Sequence, residues 1–140
     1  MILKHLTKEN ILFYMADMIK ISAQLKDDYW TQEHYLMELP KKWKLSFVAI
    51  ENNELAAFMI VSDKENAHHL HRIVVAEESQ KKGIGKNLLS KLKEDAISNS
   101  KKELTLKVLS SNAEAIKLYE KLGFTKFEKS NENLIYKLVL

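Results

Sequence analysis

Apolar and polar residues alternate along this chain with two different periods, and the switches between them set out the elements. Met1 to Leu6 is a short mixed run that reads as a strand. Ile11, Leu12, Met15, Met18 and Ile19 then recur at helical spacing, which predicts a helix over Lys8 to Ile21 with Thr7 as its cap. A second helix is predicted from Asp28 to Leu39, with Tyr29, Glu33, Leu36 and Met37 near one face and Pro40 as its stop. Leu45 to Ile50 and Leu55 to Val61 read as strands joined by a turn at Glu51-Asn52-Asn53-Glu54. His68 to Val75 begins polar and ends apolar, the pattern of a strand that enters the core.

The second half repeats the alternation of strand and helix. Leu88, Leu89, Leu92, Ala96 and Ile97 mark the buried face of a helix from Gly85 to Ser98. Glu103 to Leu109 has period two, with Leu104, Leu106 and Val108 on one face. Ser111 and Glu114 have capping-box spacing for a helix that runs through Leu122, and Gly123 offers a left-handed exit. Phe124 to Phe127 and Leu134 to Val139 read as closing strands. The order β-α-α-β-β-β-α-β-α-β-β predicts one α/β (α+β) domain over residues 1–140, a single mixed sheet with helices on both faces. The connection from Ile73 through the following helix to Leu104 is expected to join parallel strands with a right-handed crossover.

Composition narrows what such a domain can do. The 140 residues contain no cysteine, which removes disulfides, thiolate metal sites and a cysteine nucleophile. No apolar run approaches the roughly 20 residues of a membrane-spanning helix, and no signal peptide is visible. A soluble cytoplasmic protein is the expectation. Charge is uneven: residues 1–62 carry 7 Lys or Arg against 8 Asp or Glu, and residues 63–140 carry 15 against 11. The basic half suits an anionic ligand or a lysine-rich solvated surface. Nucleic acid is disfavoured, because Arg72 is the only arginine and base readout leans on bidentate arginine.

The segment Gln80-Lys81-Lys82-Gly83-Ile84-Gly85 stands between a buried strand and an amphipathic helix. Glycine lets backbone approach a ligand, and a helix start offers free N–H groups and a positive dipole end. Together they make an anion site, with Lys81, Lys82 and Lys86 adding to the field. A tight turn with no ligand is the plain alternative. The nucleotide-loop signature is missing, which disfavours a triphosphatase.

Arg72-Ile73-Val74-Val75, Glu77 and Gln80-Lys81-Lys82-Gly83-Ile84-Gly85 resemble the acyl-CoA-binding motif of the GCN5-related N-acetyltransferases. Asn112-Ala113-Glu114-Ala115-Ile116-Lys117-Leu118-Tyr119-Glu120-Lys121-Leu122-Gly123-Phe124 resembles the later Asn–Tyr–Gly-Phe segment of the same family. The element order agrees over nearly the whole chain, and the first 45 residues agree only in pattern. The resemblance implies an acetyl-CoA-dependent N-acetyltransferase that uses no metal and acts on a small-molecule or protein amine. A non-catalytic CoA-binding or regulatory domain of the same fold is the alternative. It implies that the backbone of Ile73 and Val75 hydrogen-bonds the pantetheine arm in a gap between splayed parallel strands, with Val74 between them counted among the cofactor-binding residues. Gln80, Lys81, Lys82, Gly83, Ile84 and Gly85, with Lys86 at the edge, would wrap the pyrophosphate. Asn112 would lie near the pantetheine, and Tyr119 would act as general acid toward the departing thiolate. The Val75 amide would polarise the carbonyl as the amine attacks.

The base is open among His71, His69 and Glu77; for the histidines a polar outer strand is the plain reading. His69 and His71 at i,i+2 lack a third ligand, so no metal is expected. Tyr29 and Glu33 are candidates for the acceptor pocket, and Asp27-Asp28 and Glu38 for attracting a cationic amine. The aromatics Tyr29, Trp30, Tyr35 and Trp43 suit helix packing, that pocket or a homodimer contact.

Overall fold

The computed structural model describes residues 1–25 and 28–140. Seven strands form one sheet in the order β1-β2-β3-β4-β5-β7-β6. They are β1 (Ile2–His5), β2 (Phe47–Glu51), β3 (Glu54–Lys64), β4 (Ala67–Val75), β5 (Glu103–Leu109), β6 (Thr125–Ser130) and β7 (Asn133–Val139). The helices are α1 (Ile11–Ser22), α2 (Gln32–Leu36), α3 (Lys42–Leu45), α4 (Ile84–Ser98) and α5 (Ala113–Lys121). A 3-10 turn, Glu77–Ser79, leads from β4 toward α4.

Every strand pair is antiparallel except β4 with β5, the pair joined through α4. One face of the sheet carries a core built on α4, in which Ile84, Leu88, Leu92 and Ala96 meet Leu104, Leu106 and Val108 of β5. Burying each such side chain stabilises the fold by roughly 1.5–3 kcal/mol. The opposite core holds Ile11, Met15 and Met18 of α1 and Tyr35 of α2 against Val48, Phe58, Ile60 and Val74. That second core takes nothing from β5, β6 or β7, so the helices cover only part of that face.

The differences from the sequence pattern have local causes. Leu12 and Ile19 of α1 are exposed, and the buried stripe is Ile11, Met15, Met18 and Ser22. Ile97 of α4 also faces solvent. The second helix is a five-residue stub, and of the residues read as its inner face Tyr29, Leu36 and Met37 are exposed, while Tyr35 is fully buried. The segment after it is fixed instead by Lys42, a fully buried lysine whose Nζ donates to the Tyr35 carbonyl (2.6 Å) and the Met37 carbonyl (2.7 Å). Burial lowers its pKa to about 8. Lys42 belongs to the short helix α3, for which four residues gave no periodic signal. The cap of α5 is Asn112, whose Oδ1 accepts from Ala115 N at 3.2 Å, and not Ser111. Gly123, at φ +99°, supplies the left-handed exit.

Candidate active site

Strands β4 and β5 pair only from Ala67–Glu103 to Leu70–Leu106. Beyond that level β4 continues to Val75 and β5 to Leu109, each paired on its other side. The backbone of β4 therefore has a free edge where the two parallel strands part. Which residues face it follows from alternation. Ala76 N donates to Ala56 O of β3 at 2.7 Å. Counting back in steps of two, Val74 and Arg72 also turn their N–H and C=O groups toward β3, and Ile73 and Val75 turn theirs toward the gap. The Val75 carbonyl confirms this direction: it accepts from Gln24 Nε2 (2.7 Å) and Gln80 Nε2 (3.1 Å) in place of a strand partner. Val74 differs from its neighbours, since its backbone is used by β3 and its side chain is buried in the α1 core. The backbone open at the gap is therefore that of Ile73 and Val75, the two residues expected to bond the arm, while Val74, also named for the cofactor site, spends its backbone on β3.

The free edge leads to the start of α4. Lys81 (φ +65°) and Gly83 (φ +83°) are both left-handed, so the chain coils tightly before the helix begins at Ile84. Asn87 N is bonded to Gly83 O, which leaves the N–H groups of Ile84, Gly85 and Lys86 at the open first turn. The two glycines serve different needs. A Cβ on Gly83 would meet nothing within 4 Å, so that position is set by its backbone angle. A Cβ on Gly85 would lie 3.4 Å from Val75 Cγ2, so that position lets the helix approach the end of β4. Ile84 is buried and anchors the turn, and Lys81 and Lys86 are exposed beside it. Lys82 points elsewhere: its Nζ lies 3.2 Å from Glu51 Oε1, at a hollow of about 230 Å³ near the β2–β3 turn.

Tyr119 lies on α5 with its ring 5.7 Å from that of Phe124, packed against the α4-side core. Burial pushes its phenol up to about 12, so it stays protonated at neutral pH. Asn112 is exposed at the start of the same helix with its Oδ1 committed to the cap.

His69 and His71 share the other face of the sheet, their rings 4.6 Å apart. A bulge places His71 between Leu70 and Arg72 with no partner in β3. His69 Nδ1 lies 2.7 Å from Thr105 Oγ1, and His71 Nε2 lies 2.6 Å from Ser62 Oγ. Burial lowers His69 to about 3 and His71 to about 4, with Lys64 and Lys107 adding to both shifts. Both are neutral imidazoles at pH 7 and too weak to take a proton from an ammonium. The burial that lowers their basicity disfavours either as the base. Glu77 is exposed on the 3-10 turn just past β4. Among the described residues no three His, Cys, Asp or Glu side chains converge as metal ligands. No helix among them is long and apolar enough to cross a membrane.

The α1–α2 connection reaches the same end of β4 through residues that the sequence did not single out as a group. Arg72 Nη1 donates to Asp28 Oδ1 (2.9 Å) and Tyr35 Oη (3.3 Å), and its guanidinium stacks 4.6 Å from the Trp30 ring. Tyr35 Oη is 2.6 Å from Ser22 Oγ. Tyr29 and Glu33, the acceptor candidates, are exposed, with Tyr29 edge-on to His34 at 5.6 Å. Asp28 and Glu38 are engaged rather than open to a cation: Asp28 holds Arg72, and Glu38 binds Lys8 (3.2 Å) and Trp43 Nε1 (3.0 Å). Asp27 lies outside the described residues. These contacts join loop to strand, so no motif of fixed spacing announces them.

The same fold occurs in known proteins. The crystal structure of the ribosomal-protein-S18-alanine N-acetyltransferase from Escherichia coli superposes with a TM-score of 0.81 at 24% identity, covering 99% of this chain and 92% of that one. An N-acetyltransferase (PaiA) from Thermoplasma acidophilum, solved in complex with coenzyme A, gives 0.81 at 20% identity over 99% of this chain and 98% of its own. In sequence, the [ribosomal protein bS18]-alanine N-acetyltransferase of Escherichia coli K12 is 33% identical over 95 residues, 68% of this chain; the match spans 64% of the relative's length. The acetyltransferase (GNAT) family profile matches residues 13–124, from α1 through the glycine turn to Phe124, and the chain belongs to that family.

Proposed function

We propose that this protein is an acetyl-CoA-dependent N-acetyltransferase that delivers the acetyl group directly to an amine acceptor. The free edge of β4, which ends at the open first turn of α4, carries the reading. Such an edge offers Ile73 and Val75 to an extended arm bearing amides, as a strand would. The left-handed turn at Lys81 and Gly83 then offers successive N–H groups to an anion. Coenzyme A joins an amide-bearing arm to a pyrophosphate in that order. Gln24 and Gln80 cover the Val75 carbonyl in the free protein, and they yield when the arm takes the edge. The relative solved with coenzyme A supports this assignment by its fold.

The thioester supplies the acyl group, and the amine displaces the thiol. The Val75 N–H, aimed into the gap, stabilises charge on the carbonyl oxygen. Tyr119, protonated and without a hydrogen-bond partner among the described residues, donates to the departing sulfur. Its phenol at about 12 lies above a thiol's reference value of about 8.5. Its contribution is a hydrogen bond that strengthens as the C–S bond breaks and negative charge gathers on sulfur; the phenol keeps its proton, and the released thiolate takes one from solvent. With the histidines too weak, the amine's proton leaves through Glu77 or solvent.

Calorimetry with acetyl-CoA followed by thiol release across an amine panel tests the reading. Binding together with acceptor-dependent thiol release is expected. No binding overturns it, and binding without release from any acceptor turns it into a non-catalytic CoA-binding domain.

A further inference from the structure

Tyr136 of β7 brings a phenol into the core on the α4 side of the sheet, where it is 2% exposed. A buried tyrosine needs a partner for its hydroxyl. Tyr136 Oη donates to Glu120 Oε2 of α5 at 2.8 Å. Glu120 itself stands at an exposed position of the helix, so the bond reaches from the rim of α5 down to the sheet.

Helix α5 is otherwise lightly seated. None of its residues is fully buried, and Ala115, Ile116 and Tyr119 only partly enter the core. Leu118 faces solvent. Glu120 follows Ile116 by four residues and so flanks this inner stripe. Among the described residues, its bond to Tyr136 is the one side-chain hydrogen bond that ties α5 to the sheet, since the Asn112 cap bonds within the helix.

The tie lies where the gap begins. Tyr136 stands opposite Leu106 of β5, and Leu106 is the last β5 residue paired with β4. The residue before Glu120 is Tyr119, whose hydroxyl has no hydrogen-bond partner among the described residues. Its ring rests on Phe124 at 5.7 Å, and its carbonyl accepts from Phe124 N at 3.0 Å. No polar contact holds the Tyr119 hydroxyl, so its place is inherited from the seat of the helix. Apolar packing is not directional and allows sliding, whereas a hydrogen bond fixes distance and angle. A reacting group displaced by about 1 Å can lose on the order of 100-fold in rate.

Resting on the transferase reading above, we infer that Tyr136 and Glu120 are a positioning pair for the reaction: their hydrogen bond seats α5 so that the Tyr119 hydroxyl meets the departing sulfur. Neither residue touches the reacting atoms. Both act through Tyr119.

Tyr136→Phe removes only the hydroxyl. Glu120→Ala removes its acceptor from an exposed position and leaves the core filled. Rates are read as thiol release from acetyl-CoA with the best amine of the panel, and affinity by calorimetry with acetyl-CoA. Each substitution is expected to lower kcat by about 5- to 10-fold and to change acetyl-CoA affinity by less than about twofold. Glu120→Gln keeps an oxygen for the Tyr136 hydroxyl and is expected to recover most of the lost rate. Coupling to Tyr119 separates positioning from a loss of fold. In a Tyr119→Phe background, Tyr136→Phe is expected to cost less than about twofold, because no hydroxyl is left to misplace. A merely structural loss would carry over in full. Unchanged kcat in both single variants, an undiminished effect beside Tyr119→Phe, no recovery with Glu120→Gln, or acetyl-CoA binding without turnover of any amine overturns the positioning role and leaves CoA binding standing. Failure of the unsubstituted protein to bind acetyl-CoA overturns the transferase reading itself.

Discussion

Tyr119 and the pair His69–His71 show burial acting on two kinds of acid in opposite senses. The phenol is pushed up and keeps its proton; the imidazoles are pushed down and lose theirs. Tyr119→Phe removes one hydroxyl and keeps the ring against Phe124. It is expected to lower kcat by about 100-fold and to change acetyl-CoA affinity by less than about threefold. Steady-state kinetics beside calorimetry separates the two, and unchanged kcat would remove Tyr119 from the chemistry. For the histidines the sign follows from linkage. Their folded values of about 3 and about 4 lie below the unfolded value of 6.5. The unfolded chain then binds more protons between those limits. Their contribution is fully present above the unfolded value and is lost as pH falls toward the folded ones. At pH 5 this amounts to on the order of 2 kcal/mol per histidine. Urea midpoints at pH 7 and pH 5 are expected to differ accordingly, and His69→Gln with His71→Gln should flatten the difference.

At the scale of elements, α4 and its turn were legible in the sequence, because glycine between a buried strand and an amphipathic helix marks a tight turn whether or not a ligand sits there. The division of labour between the glycines was not. Gly83 is there for its angle and Gly85 for closeness to Val75, a distinction that only the packed strand reveals. Gly83→Ala is expected to cost about 1–2 kcal/mol in stability from the left-handed backbone alone. The α2–α3 segment was the least legible part. Its stub helix and four-residue successor have no repeat to read, and they are held by a charged residue in the core. Lys42→Met keeps the aliphatic stem but leaves the Tyr35 and Met37 carbonyls without their donor. It is expected to cost about 2–4 kcal/mol. A chemical melt would show this, and a loss below about 0.5 kcal/mol would mean that water replaces the ammonium.

Across the whole molecule, one topological fact organises the site. A sheet with a single parallel pair must open somewhere if its two strands continue with different partners, and here it opens where β4 leaves β5. The sequence indicated the parallel pair, since the β4–α4–β5 order demands a crossover. Spacing alone did not show which residues of β4 would be spent on β3, because a bulge at His71 resets the register; the family resemblance pointed to Ile73 and Val75 as the pair left for the gap. The sequence also did not show the uncovered face of β5 and β7, which depends on how far α1 and α2 reach.

The central claim is that the free edge of β4 and the first turn of α4 bind coenzyme A as one continuous surface. Titrating the nitrogen-15-labelled protein with coenzyme A and following its amide resonances tests this directly. The largest shifts are expected at Ile73, Val75 and Lys81 through Lys86, with Val74, turned toward β3, moving less than either neighbour. Shifts centred on the hollow beside Glu51, or none at saturating ligand, would contradict it.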